Sequence, residues 1–380
     1  MSTETIFRNA HIVGAVEITD GCLHVQGQNI RSVDQGNSAL PQTIDMDGDY
    51  LLPGLVELHT DNFERHLMPR PKVRWPDLPA LLAHDAEIAA AGITTVYDAL
   101  GVGDTDEDAL RGQSMGSILA VIEQATRDGL LRAEHRLHAR CELPAPNARQ
   151  LFEPFENHPL LGLLSLMDHT PGQRQWTNID QARIYYTGKK GWSEEKFQSS
   201  ITRGREMQAL HAEPHRGYFL EVAHRRGLAL ASHDDTTPQH VEEARAQGIA
   251  ISEFPTRGEA ARAAREHGLA IVMGAPNVVR GGSHSGNVAA IQLAADDLLD
   301  ALSSDYVPSS LLPAAFMLTR DVGWTLPKAI ATVSRNPARA AGLADRGEIA
   351  PGQRADLIRV RVVNGQPVVR SVWRAGERVS

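Results

Sequence analysis

Eight apolar, strand-like runs recur through the middle of this chain, and helical spacing fills several of the gaps between them. The runs are LLPGLVELHTD, GITTVYDA, HRLHARCEL, LLGLLSLMDH, GLALASHDD, GIAISEFP, GLAIVMGAPN and DALSSDY. Between them lie ALLAHDAEIAAAG, SMGSILAVIEQATRDG, HVEEARAQG and GEAARAAREHG. Strands alternating with helices argue for a parallel sheet, whose neighbours are joined by such crossovers. Eight such units predict an α/β fold of the (β/α)8 barrel type. The fifth unit carries a longer insertion, QRQWTNIDQARIYYTGKKGWSEEKF, with a helix of its own.

The two ends read differently. TIFRNAHIVG, EITDGCLHVQGQNIRSVD and TIDMDGDYLL, and at the other end RGEIAPGQRADLIRVRVVNGQPVVRSVWRAGERVS, are short strand-like segments punctuated by glycine and Asn-Gly signals. They predict one small β-sandwich domain built from residues 1–52 together with 345–380, and a barrel over 53–344.

With 380 residues and a formal net charge of -9, the chain has no broadly basic surface for nucleic acid or an anionic membrane. No apolar run approaches the ~20 residues a membrane span needs. The opening MSTETIFRNAHIVG lacks a basic patch followed by an apolar stretch, so no secretory signal is visible. Cys22 and Cys141 are the only cysteines, which gives no disulfide framework and fits a reducing cytoplasm. Cys141 alternates out of register with Glu142 and is expected to face the helices as packing.

In a barrel of this kind the chemistry sits where strands end at the C-terminal mouth. The first run ends in His59 and Asp61, which a strand turns to one face together with Glu57. The third ends in Glu142, with His138 and Arg140 on its face. The fourth ends in Asp168-His169, the fifth in His233-Asp234-Asp235 and the eighth in Asp305. One histidine at a strand end is usually a structural hydrogen-bonding group. Five strands ending this way point to a shared site. His59, Asp61, Glu142, His169, His233 and Asp305 are therefore expected to hold one or two divalent metal ions. Glu142 is the expected bridging carboxylate, and Asp305 the group that holds a metal-bound water and takes its proton. Nitrogen and oxygen donors favour zinc, with manganese or iron credible.

The β-rich ends, PGLVELHTD, the strand-end histidines and the late aspartate resemble the amidohydrolase superfamily. TDNFERHLMPRPKVRWP, AEHRLHARCELP, SLMDHTPGQRQ, ASHDD, MGAPNVVRGGSHSGN and LSSDYVPSSLL are similar to one branch of it, which acts on a sugar triphosphate in phosphonate breakdown. The resemblance implies a metal-dependent hydrolase that cleaves the α–β phosphoanhydride and releases pyrophosphate. It implies departures too. Asp61 stands where the superfamily commonly has a second histidine. His169 ends the strand that commonly carries a carboxylated lysine, with Glu142 as substitute. Glu253 stands where the sixth strand often supplies a histidine.

A triphosphate calls for cations. Pro69, Pro71 and Pro76 favour an extended loop after the first strand. There Arg65, His66, Arg70, Lys72 and Arg74 are expected to clamp phosphate oxygens. After the seventh strand, RGGSHSGN offers Arg280, Gly281, Gly282, Ser283 and His284, with glycine backbone N–H groups free to approach an anion. It lacks G-K-[ST] and is no Walker loop. Arg174 is expected to reach the ribose or a phosphate. The rival readings are a deaminase or an amide or cyclic-amide hydrolase, which would not need the cations, and a catalytically silent scaffold, which would have lost ligands. A homodimer is common for this architecture and is expected here. Contacts with other phosphonate-pathway enzymes are left open.

Overall fold

The computed structural model describes residues 4–38, 40, 43–70, 73–104, 111–174, 179–189, 191–283 and 286–380. Lys72 and His284 lie outside the described residues. All eight runs are strands of one parallel sheet. We number the strands through the chain. The first five are β1 (Glu4–Val13), β2 (Ile18–Gln26), β3 (Asn29–Gln35), β4 (Ile44–Asp45) and β5 (Tyr50–Pro53). The barrel strands are β6 (Leu55–Thr60), β7 (Ile93–Val102), β8 (Glu134–Glu142), β9 (Leu161–Met167), β10 (Ala229–His233), β11 (Ile251–Glu253), β12 (Ala270–Gly274) and β13 (Ala301–Ser303). The last three are β14 (Leu357–Val363), β15 (Gln366–Arg374) and β16 (Glu377–Arg378).

The barrel runs β6 to β13 in chain order, each strand parallel to the next. Its ends meet through a parallel bridge between Thr60 and Asp305. The Asp305 N–H donates to the His59 carbonyl at 3.0 Å, and the Asp61 N–H donates to the Asp305 carbonyl at 3.2 Å. Glu57 ties the same seam. Its carboxylate accepts from Ser303 Oγ at 2.7 Å, from the Ser304 N–H at 2.6 Å and from the His59 N–H at 2.6 Å. Full burial raises the Glu57 carboxyl to about 6, against the pull of those hydrogen bonds.

Alternation sorts the strand residues into two cores. Tyr97, Leu163, Ala231, Ile251, Val272 and Ala301 fill the barrel interior. Leu137, Ala139, Cys141, Leu164, Leu166 and Leu230 face outward into the packing with the helices, Cys141 as expected. Moving along the inward parity toward the C-terminal ends replaces apolar residues by His138, Arg140 and Glu142 on β8, His233 on β10 and Glu253 on β11. The apolar plug therefore becomes the floor of a polar mouth.

The insertion leads into a helix over Glu194–Arg226, 33 residues long, capped by Ser193 and ended by Gly227 in the left-handed conformation. Its Gln208 amide donates to Asp168 Oδ2 at 2.5 Å, which fastens it to the mouth. Among the described residues no helix is long and apolar enough to cross a membrane.

The termini form one mixed sheet in the order β16-β15-β14-β5-β1-β2-β3, with β4 on β1. Phe7 on β1 meets Trp373 on β15 edge-on, ring centroids 4.9 Å apart. Those strands are three places apart, about 14 Å in a flat sheet. The sheet therefore curls round its own core of Phe7, Ile12, Leu23, Ile30, Leu357 and Trp373. Its opposite face, with Val13, Leu52, Ile358 and Val372, joins the helical core of the barrel.

Gly54 alone separates β5 of this sheet from β6 of the barrel. A Cβ there would lie 2.6 Å from Thr94 Cγ2 and 3.0 Å from Asp356 Cβ. Both neighbours are buried, so neither can move aside easily. Gly54→Ala is expected to destabilise the protein by about 3 kcal/mol through overpacking. Denaturant unfolding measures this, and a change below about 1 kcal/mol would contradict the crowding.

Candidate metal centre

The strand ends surround a cavity of about 620 Å³ whose lining includes His59, Asp61, His169, His233 and Asp305. Five of the six expected ligands thus meet at one mouth. Three residues bend the chain there. Asp234, Phe254 and Asp305 have φ of 55°, 55° and 53°, each just beyond a barrel strand. Such left-handed non-glycine residues are costly and concentrate where a fold re-aims functional groups. Asp61 ends its strand by starting the helix Asn62–Leu67.

The imidazoles are held from behind. His59 Nδ1–H donates to Glu253 Oε1 at 2.8 Å, and His233 Nδ1–H to Glu253 Oε2 at 2.8 Å. His169 Nδ1–H donates to Glu142 Oε2 at 2.6 Å. His138 Nδ1–H donates to the Leu58 carbonyl at 2.9 Å. Each contact, with the ring nitrogen donating, leaves the Nε2 lone pair free, the state in which a histidine can bind a metal. Among the described residues these Nε2 atoms carry no hydrogen bond, and that of His138 is buried with no partner. Burial lowers His138 to about 3, so it stays neutral with its lone pair free. Burial works against charge on His169 and His59, yet Glu142 and Glu253 outweigh it and hold both above the usual range.

Ligand atoms of His169, His233 and Asp234 all lie within 4.8 Å of one another. Asp234 Oδ2 is 3.6 Å from His233 Nε2 and 3.9 Å from His169 Nε2. A buried orphan Nε2 and converging imidazole and carboxylate donors fit a divalent cation. His59, His138 and Glu253 form a second such group. Both Glu253 oxygens accept imidazole N–H bonds, so we read it as orienting its two rings. Glu253→Gln keeps the shape but has one acceptor oxygen for two N–H donors. Metal affinity is expected to fall by about 10- to 100-fold, measured by competition with a chelator; unchanged affinity would contradict the orienting role.

Several expectations are corrected. Glu142 grips a single histidine with both of its oxygens. Its Oε1 accepts the His169 N–H at 3.0 Å and its Oε2 the ring of the same residue, so both oxygens serve His169. Arg65 and His66 belong to the helix Asn62–Leu67, not to an extended loop, and both turn to Glu87, at 3.0 and 2.9 Å. Arg74 pairs with Asp77 at 2.7 Å, and Arg70 is exposed and bridged to Val73. None of these four lines the cavity. Arg174 is buried behind His233, donating to its carbonyl at 2.9 Å and to Asp235 at 2.7 Å.

Arg280, Gly282 and Ser283 do line the cavity. Their glycines work differently from expectation. Gly281, at φ 77°, caps the helix Ala275–Arg280. The N–H groups of Gly281 and Gly282 donate back to Val278 and Asn277 at 3.1 and 2.8 Å, so they are not turned to an anion.

The strand-end reading placed His138 and Arg140 on the face of Glu142, by their i, i+2, i+4 spacing, and Asp234 at the end of the fifth run, but gave none of the three a role. A third histidine cluster, His84, Asp98 and His135, sits outside the barrel wall under the helix Asp77–Ala90. Hydrogen bonds account for it. His84 and His135 donate to the two Asp98 oxygens at 2.8 Å each, Asn62 donates to His84 Nδ1 at 3.1 Å, and His135 Nε2 donates to Asp85 at 3.3 Å.

A barrel with its catalytic mouth built from strand-end imidazoles and carboxylates, joined to a sheet made from both termini, defines a class, and the chain belongs to the amidohydrolase family. That family's model matches residues 218–379. The chain is 46% identical over 376 residues, 98% of its length and 100% of the relative's, to the alpha-D-ribose 1-methylphosphonate 5-triphosphate diphosphatase of Escherichia coli (strain K12). Among solved structures it resembles N-isopropylammelide isopropylaminohydrolase from Burkholderia multivorans, with TM-score 0.64 and 18% identity over 99% of this chain and 98% of that one. It also resembles 5-methylcytosine deaminase from Klebsiella pneumoniae, with TM-score 0.64 and 15% identity over 99% and 97%. At these identities the last two speak for the fold alone.

Proposed function

We propose that this protein is a metal-dependent diphosphatase that hydrolyses the α–β phosphoanhydride of alpha-D-ribose 1-methylphosphonate 5-triphosphate. The observation that carries the reading is the full-length 46% identity to a diphosphatase of that name. The cavity supports it, with the metal-compatible histidines and carboxylates lining it together with Arg280 and Ser283. His169, His233 and Asp234 would hold an ion, zinc by preference for nitrogen and oxygen donors, with His59, His138 and Asp61 beside them. A divalent ion bound there supplies Lewis acidity, making a water nucleophilic at neutral pH and neutralising charge on phosphate oxygens.

The chain's own groups do the rest. Arg280 and Ser283 bind the outer phosphates and hold the triphosphate in line for attack. Asp305 accepts the proton of the water that attacks the α-phosphorus. Pyrophosphate leaves, and the sugar keeps a single 5-phosphate. Burial, and the neighbouring Asp61, raise the Asp305 carboxyl, which improves it as a base.

Phosphorus NMR of the purified protein with this triphosphate, metal-loaded and chelator-stripped, tests the reading. Metal-dependent release of pyrophosphate is expected. No reaction with metal bound would overturn it and turn attention to amides and cyclic amides.

A further inference from the structure

One charged side chain at the centre of the site has no task in this scheme. Arg140 stands on β8 two residues from His138 and two from Glu142, so alternation turns all three inward. Its register neighbours are Gly101 on β7 and Ser165 on β9. Where the interior below is filled by Tyr97 and Leu163, these two small residues leave room for a guanidinium.

Arg140 lines the cavity together with His59, His169 and Asp305. The cations expected from the sequence to bind phosphate are mostly tied to carboxylates: Arg65 to Glu87, Arg74 to Asp77 and Arg174 to Asp235. Arg140 has no hydrogen bond or ion pair among the described residues, and its Nε is buried without a partner. Buried, unpaired donors are rare, and a charged one rarer still. A fixed cation among imidazoles that suit a divalent ion also repels that ion. Both difficulties disappear when a ligand brings negative charge between the two positive centres.

We propose that Arg140 is a specificity-determining residue, binding an anionic phosphoryl group of the substrate at the floor of the site and so selecting a phosphoanhydride over an uncharged amide. This rests on the diphosphatase reading above. The planar guanidinium suits two phosphate oxygens at once, which an ammonium on a flexible stem does not.

Isothermal titration of pyrophosphate into metal-loaded wild type, Arg140→Gln and Arg140→Lys tests it at fixed ionic strength, with metal content and thermal melting measured on each. The Gln variant is expected to bind pyrophosphate about 100-fold more weakly and the Lys variant about 10-fold more weakly. Metal stoichiometry and folding should match wild type. Binding by a folded, metal-loaded Gln variant within about threefold of wild type would overturn the proposal. If that happens while wild type still cleaves the triphosphate, only this inference falls. If wild type neither binds pyrophosphate nor cleaves the triphosphate, the functional reading falls and takes this inference with it.

Discussion

Asp305→Asn is expected to lower turnover by about three orders of magnitude while leaving folding and metal content unchanged, because a positioned base contributes on that scale. The backbone of the residue has a task separate from the proposed role of its carboxylate. Its backbone closes the barrel, with N–H to the His59 carbonyl and carbonyl accepting from the Asp61 N–H and from Thr60 Oγ1 at 2.7 Å. An Asn keeps all of these and tolerates the left-handed φ of 53°. Only proton acceptance is lost. Single-turnover rates with a parallel thermal melt provide the measurement, and a variant within about tenfold of wild type would remove Asp305 from this step.

The second large effect concerns stability. His135→Ala is expected to destabilise the fold by about 3 kcal/mol, since it takes one charged partner from each of two buried carboxylates, leaving Asp98 to His84 and Asp85 to Arg132. Burial works against charge on His135, but Asp98 and Asp85 outweigh it and raise the imidazole to about 9. Asp98 is held well below the ordinary carboxylate range by His135 and His84. These shifts describe one interaction and are counted once. Against an ordinary histidine value near 6.5, the shift amounts to about 3 kcal/mol. The folded value lies above the unfolded one. The contribution is therefore fully present below pH ~6.5 and is lost as pH rises through about 9. The groups facing this ring are Asp98, Asp85 and His84, with Arg132 paired to Asp85 at 3.1 Å. Denaturant unfolding from pH 6 to 10 should show the decline in wild type and not in the variant. Parallel curves would mean that His135 is not charged in the fold.

The barrel was legible in the sequence because eight apolar runs keep a strand's length and carry polar residues only at their ends. The polar wall of the cavity followed, since His59, His169, His233 and Asp305 each sit at or just past a strand end, where topology alone brings them together. Pairing was not legible. Nothing in the sequence says that Arg65 and His66 would turn to Glu87, 21 or more residues away, or that Arg174 would be buried under His233. Counting cations identifies charge but not whether a carboxylate already holds it. Backbone direction was hidden in the same way. RGGSHSGN is rich in glycine, yet the first two glycines point their N–H groups into a helix end. Glu142 was found by position, but its grip on His169 was not legible, because strand alternation says which way a carboxylate faces and not which neighbour it grips.

The curled sheet has a consequence for how the molecule is made. β5 finds its antiparallel partner in β14, with Leu52 opposite Ile358, across more than three hundred intervening residues. β1, β2 and β3 therefore leave the ribosome with one flank open, and they stay so while the whole barrel is synthesised. Phe7 waits for Trp373. Such distant pairings form slowly, and an unpaired strand edge invites aggregation. In the newborn chain the terminal sheet cannot be completed until β14 and β15 have been made, after the last strand of the barrel, so that it closes as a clasp.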